Sequence, residues 1–140
     1  MESQAGTRAA LTIRAVSSAL IGALIGTGTA LVQPHVGEPW AALVNSSSPW
    51  LLGGFIAGAL HHRRNRAAVA GLVTLLVEVG AYFVTADTLH IPVMHDYVLF
   101  WTVCAVAGGP VAGYAGWAWR RGRPRAHGLG AAFLPGSFIA

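Results

Sequence analysis

The sequence predicts an all-α protein, a polytopic transmembrane helical bundle of four spans plus a partial fifth, and three observations carry that expectation. Of 140 residues, 54% are hydrophobic and 10% charged, against roughly 25% charged in a soluble domain, and the mean hydropathy is +0.56. Its apolar residues come in runs that approach the ~20 residues a helix needs to cross the ~30 Å hydrocarbon core of a bilayer. All nine basic residues are arginines, in three groups that abut those runs: Arg8 and Arg14; Arg63, Arg64 and Arg66; Arg120, Arg121, Arg123 and Arg125. That placement is typical of membrane topology determinants, and not of a nucleic-acid footprint, although the pI is near 10.2. One integral membrane domain over 1–140 is expected, with the lipid bilayer as its partner and no nucleic acid.

The first span covers about 9–32, interrupted by Arg14, which lies close enough to one end to snorkel to the headgroups. This start resembles a secretory signal, with Thr27-Gly28-Thr29-Ala30 as a small-residue cleavage site. Its apolar run is longer than a usual signal core, so it is read as a retained span. The second run, 49–60, is only twelve residues, or about 18 Å of helix. Two arrangements accommodate it. Either the helix continues through His61 to Arg66 into the headgroups, with a short surface helix over 38–44, or it is a half-helix opened by Pro49 and capped by Ser48. In the second case Asn45, Ser46, Ser47 and Ser48 form a broken stretch near the midplane. The third span, 67–86, holds Glu78 between Val77 and Val79, and the fourth is 97–119, where Pro110 should kink the helix and free the carbonyl of Val106. The segment 128–140, broken by Pro135, is the partial fifth.

Cytoplasmic loops carry an arginine excess, and this scheme puts all three Arg groups on one side. The N-terminus and the Arg-rich loops are therefore expected in the cytoplasm, the chain being a multi-pass protein of the inner (plasma) membrane. The other side receives Glu38, Asp87, Asp96, His35, His90 and His95 and no arginine. Aromatic residues agree, with Trp40, Trp50, Tyr97 and Trp101 toward the outer interface and Trp117 and Trp119 toward the inner one.

Lipid offers no hydrophobic drive for helix association, so small residues mark the packing faces. Ser18, Gly22, Gly26 and Ala30 form one such stripe, Gly54 and Gly58 a second, and Ala105, Gly109 and Gly113 a third. These faces serve intramolecular bundling, a homo-oligomer or a membrane-protein partner.

An ionisable group in the middle of a span costs at least a few kcal/mol and is a functional-site hypothesis by default. Counted from the inner ends, Glu78 stands at the height of Pro49 and Ser48 and of Gly108 and Gly109. A carboxylate, hydroxyls, an amide and a half-helix N-terminus would then meet at one level, as in transporters. The expected ligand-binding set is Glu78 with Asn45, Ser46, Ser47 and Ser48. The competing reading makes Glu78 interhelical glue, hydrogen-bonded to Ser17, Ser18 or Thr74.

Other chemistry is sparse. Cys104 is the only cysteine, which excludes an intrachain disulfide and a multi-thiolate metal site. The outer His and acidic residues have metal-ligand chemistry, but His90 and His95 match no helical ligand spacing, so no metal site is expected. No nucleophile elbow, zinc-protease motif or phosphate loop is present, so an enzyme is not expected and no cofactor is called for.

The stretches Asn45-Ser-Ser-Ser-Pro-Trp-Leu-Leu-Gly-Gly-Phe, Ala107-Gly-Gly-Pro-Val-Ala-Gly-Tyr-Ala-Gly and Leu129-Gly-Ala-Ala-Phe-Leu-Pro-Gly-Ser-Phe-Ile-Ala resemble a family of actinobacterial integral membrane proteins, the domain of unknown function numbered 6518. The resemblance covers most of the chain from Val32 onward and implies truncation at Ala140; no activity travels with it. Two functions stay open. One is a small transport-type or solute-binding membrane protein with a polar midplane site for an unidentified small-molecule solute. The other is a non-catalytic scaffold or assembly partner that docks another membrane subunit through its small-residue helix faces.

Overall fold

Ser46, Arg63 and Met94 each take extended backbone immediately before a helix begins, and the helices they open are the apolar runs of the sequence. The computed structural model describes residues 2–40, 46–122 and 124–137, with side chains described for 9–40, 46–122 and 124–133. Helix α1 is Glu2–Val32 and passes into a single 3-10 turn, Gln33–His35, at Pro34. Helix α2 is Ser47–Ala59, α3 is Arg64–Thr88, α4 is His95–Arg121 and α5 is Pro124–Ser137. Among the described residues there is no strand. Pro110 lies inside α4, which continues through it as one helix. Pro124 opens α5, at a position where its missing N–H costs nothing.

Three helices, and not four plus a partial fifth, are long and apolar enough to cross a membrane among the described residues: Ala9–His35, Arg64–Thr88 and His95–Arg121, with mean hydropathies of 1.8, 2.0 and 1.5. The expected second and fifth spans fail on length. With thirteen and fourteen residues, α2 and α5 each extend only about 20 Å, some two thirds of the hydrocarbon thickness.

The chain nevertheless returns to its starting end between α1 and α3. Tyr82, near the end of α3, donates its hydroxyl hydrogen to Gln33 Oε1 at 2.6 Å, so α1 ends beside the end of α3. His61, just beyond α2, instead lies against Arg121 at the end of α4. Arg14, Arg120 and Arg121 all exert their charge on His62. Arginines from α1 and α4 therefore share one end of the bundle with the turn between α2 and α3.

Helix α3 occupies the centre, packed on α1, α2 and α4, and α5 lies along α4. These contacts are backbone to backbone. A Cβ on Gly26 would collide with the carbonyl of Glu78, and one on Gly58 with the carbonyl of Gly113. Gly22 sits likewise on Thr74 and Gly109 on Leu72, whereas Gly54 faces the side chains of Leu75 and Ala112; Ser18 receives a hydrogen bond from Thr74 at its carbonyl. Gly71 and Gly116, at positions no sequence stripe had marked, make approaches as close. Trp50, Leu75, Val79 and Ala105 form the buried apolar cluster where α2, α3 and α4 meet.

The end of α3 is closed by an unusual residue. His90 takes φ 56°, the left-handed region; its N–H bonds to Asp87 O and that of Ile91 to Ala86 O, at 3.0 and 2.9 Å. This paired closure normally uses glycine, because a Cβ is disfavoured there. His90→Gly is therefore expected to stabilise the fold by about 1 kcal/mol, read as a rise in Tm of the detergent-solubilised chain.

Candidate functional site

Glu78 is fully buried, with no solvent exposure. Its main chain is roofed by Gly26 of α1, and its side chain passes to α2: Oε2 stands 2.9 Å from where a Cβ of Gly53 would be. The same point is 2.9 Å from Ile25 Cδ1 and 3.4 Å from Thr74 Cγ2. The carboxyl group thus enters a junction of α1, α2 and α3 that exists because Gly53 has no side chain. Neither Oε1 nor Oε2 has a hydrogen-bond partner among the described residues.

The three hydroxyls expected as glue partners are engaged with carbonyls instead. Ser17 donates to Ile13 O and Ser18 to Arg14 O, each at 2.9 Å. Thr74 shares its proton between Ala70 O at 2.8 Å and Ser18 O at 3.2 Å, which turns its methyl group toward the carboxyl. Serine and threonine in helices commonly bond back to the carbonyl four residues earlier.

The level of the site also differs from a count of residues along the spans. Side chains on a helix lean toward its N-terminus, so the Glu78 carboxyl lies inward of its own Cα. It meets Gly53 rather than Ser48, which stands five residues outward on α2, about 7.5 Å away along the axis. Ser46 precedes α2 in extended conformation, Ser47 is exposed and lines a cavity, and Ser48 is buried. Asn45 lies outside the described residues. Gly109 packs on Leu72, six residues inward of Glu78 on α3.

Outward of Glu78 the packing changes from glycine to aromatic. Tyr82, one turn beyond Glu78 on α3, meets Trp50 edge-on at 5.4 Å, and Trp50 stacks on Trp101 at 5.5 Å. These rings border two cavities. One, of about 440 Å³, runs between α2, α3 and α4 past Ser47, Leu75, Cys104 and Gly108. The other, of about 580 Å³, opens at the outer end and is lined by Gln33, Trp50, Tyr82, Tyr97, Trp101 and the turn Ile91–Met94. The sequence identified Trp50, Tyr97 and Trp101 only as interface aromatics. The signal that could have linked them was the i, i+4 spacing of Glu78 and Tyr82. The histidines and acids of this end do not assemble a metal centre: among the described residues no three His, Cys, Asp or Glu side chains gather.

At the opposite end, cations from α4 close α2. Arg121 Nη1 donates to Ala59 O and to His61 O at 2.7 Å each, and Trp117 Nε1 donates to His62 O at 3.1 Å. These donors satisfy carbonyls that a helix C-terminus leaves free, and their charge suits its negative dipole end. The same field, led by Arg121 and then Arg14, holds the exposed His62 imidazole below its ordinary titration range. Arg121→Met should cost about 2 kcal/mol, measured as a lowered Tm. Arg120→Met, whose contact with Ala59 O is long at 3.4 Å, should change it little.

No curated protein and no solved structure matches the sequence. A family model does match, over residues 5–140, nearly the whole chain, and its description is a family of unknown function. Five helices, three of them able to span a bilayer, and a carboxyl group buried at their junction thus describe a member of that family: the chain belongs to DUF6518.

Proposed function

We propose that this protein is a small, non-catalytic integral membrane protein of the solute-binding or transport type, in which Glu78 is the group that a solute or its coupling ion meets. The observation that carries this reading is the fully buried Glu78 carboxyl without a hydrogen-bond partner among the described residues. An unpaired buried polar group costs about 1–3 kcal/mol, and more when charged. Polar side chains retained inside membrane segments at that cost mark solute and ion paths. Ser46, Ser47 and Ser48 belong to the proposed site as its outer approach, since Ser47 lines the cavity that reaches Leu75 and Val79 beside Glu78.

The scaffold reading rests on small-residue faces. Gly22, Gly26, Gly54, Gly58, Gly109 and Gly113 all lie against other helices of the same chain. Their closeness supports the bundle's own packing as the use of those faces, over docking of a second subunit or a homo-oligomer.

The arginine-bearing end is assigned to the cytoplasm of the inner membrane by the positive-inside bias, because Arg14, Arg120 and Arg121 converge there with the His62 turn. In a Cys104→Ser background, Arg64→Cys should react with an impermeant thiol reagent only after the cells are opened. Asp87→Cys should react in intact cells; the reverse pattern would invert the assignment.

Glu78→Met keeps the side-chain volume and removes the carboxyl group. If Glu78 is kept for function, this change should stabilise the solubilised chain by about 1–3 kcal/mol. A fall in Tm with both Glu78→Met and Glu78→Gln would identify structural glue and overturn the proposed role.

A further inference from the structure

The outer end of the bundle combines three features that no single structural need explains. Its described acidic side chains, Glu38, Asp87 and Asp96, are all exposed, and no arginine of the sequence falls between Arg14 and Arg63 or between Arg66 and Arg120. The end therefore presents a field that attracts cations and repels anions. At the same end lies the cavity of about 580 Å³ with Trp50, Tyr82, Tyr97 and Trp101 in its walls, a size typical of small-molecule sites. Glu78 follows one turn inward of Tyr82, about 6 Å along the same face of α3; its buried carboxyl points on toward Gly53 and is unpartnered among the described residues.

Aromatic faces bind ammonium and guanidinium groups through the ring quadrupole, more strongly where water is excluded. Tyr82 and Trp50 are fixed for such a contact, Tyr82 by its hydrogen bond to Gln33 and Trp50 by its stack on Trp101. An anion has no positive side chain to meet in these walls. A bare metal ion would need several oxygen ligands, and the cavity walls offer the Gln33 and Tyr82 oxygens, already bonded to each other. A neutral solute would leave the acidic side chains of this end without a role.

We propose that the outer cavity admits a small organic cation, an ammonium or protonated amine bearing apolar groups, whose charge is held by the Tyr82 and Trp50 faces and balanced by Glu78. This names the solute class for the site proposed above and rests on that reading.

The test uses the full chain purified in detergent and three probes: choline, benzyltrimethylammonium and 3,3-dimethylbutan-1-ol, the uncharged isostere of choline. Tryptophan fluorescence and thermal stabilisation are read against probe concentration. Both ammonium probes should give saturable changes at concentrations about tenfold below any effect of the alcohol. Tyr82→Phe, which keeps the ring face, should retain binding, whereas Tyr82→Leu and Glu78→Gln should each weaken it about tenfold. Equal responses to choline and to the alcohol, a contrast that needs only the unmutated chain, would overturn the cation class while leaving a solute site in place. Binding of either probe that is indifferent to Glu78→Gln would remove Glu78 and overturn the reading beneath it. No saturable response to either ammonium probe would overturn the proposal outright.

Discussion

Lipid tails are as apolar as leucine, so nothing like the hydrophobic effect pulls these helices together, and the bundle depends on how closely one backbone can approach another. Gly22 and Gly26 bring α1 onto the main chain of α3 at Thr74 and Glu78, and Gly58 and Gly113 do the same for α2 and α4. Dispersion contacts between main chains are individually small and add up only at near-contact distance. Thr74, which bonds across to Ser18 O, adds a direct polar link at the same interface. A side chain at Gly22 or Gly26 would force α1 and α3 apart at the level where Glu78 is enclosed.

That enclosure decides the chemistry of the site. The glycines that let α1 close over α3 also keep water from Glu78, and Gly53 leaves the volume that its carboxyl fills. Close packing and an unpaired polar group are opposed requirements in a core, because the first stabilises and the second costs. The opposition is local. Toward the inner end donors from α4 meet carbonyls at the α2 terminus, with Arg121 serving two of them. Toward the outer end the packing loosens into aromatic rings and cavities. The bundle is therefore tight at its inner end and looser at its outer end.

Much of this was legible in the chain. Composition and run length identified an all-α protein with helices able to cross a membrane, and the helix positions follow the apolar runs closely, with Arg64–Thr88 and His95–Arg121 enclosing the expected third and fourth spans. The number of spans was less legible. Run 49–60 has the hydropathy of a span but not the length, and the helix it forms stops at Ala59, where arginines of α4 satisfy its end. Partners across the fold were invisible to spacing. Ser18 and Thr74 are both buried polar residues, yet the hydroxyl of each takes the carbonyl four residues back, which only the helix geometry decides. His90 carried the signature of a possible ligand and proves to be the left-handed closure of α3.

By itself the sequence determined which segments become helices, which of them are apolar enough to cross a membrane and the isolation of one acid within an apolar run, because all three follow from local composition and the length of runs. The tertiary structure alone decided what that acid faces. Its side chain leans inward toward Gly53 and away from the serines at the start of α2, and Tyr82, Trp50 and Trp101 come together above it from three different helices. Height along a helix can be counted from sequence, but the rotation of each helix about its axis is set by which glycine meets which carbonyl. That matching exists only once the helices have packed.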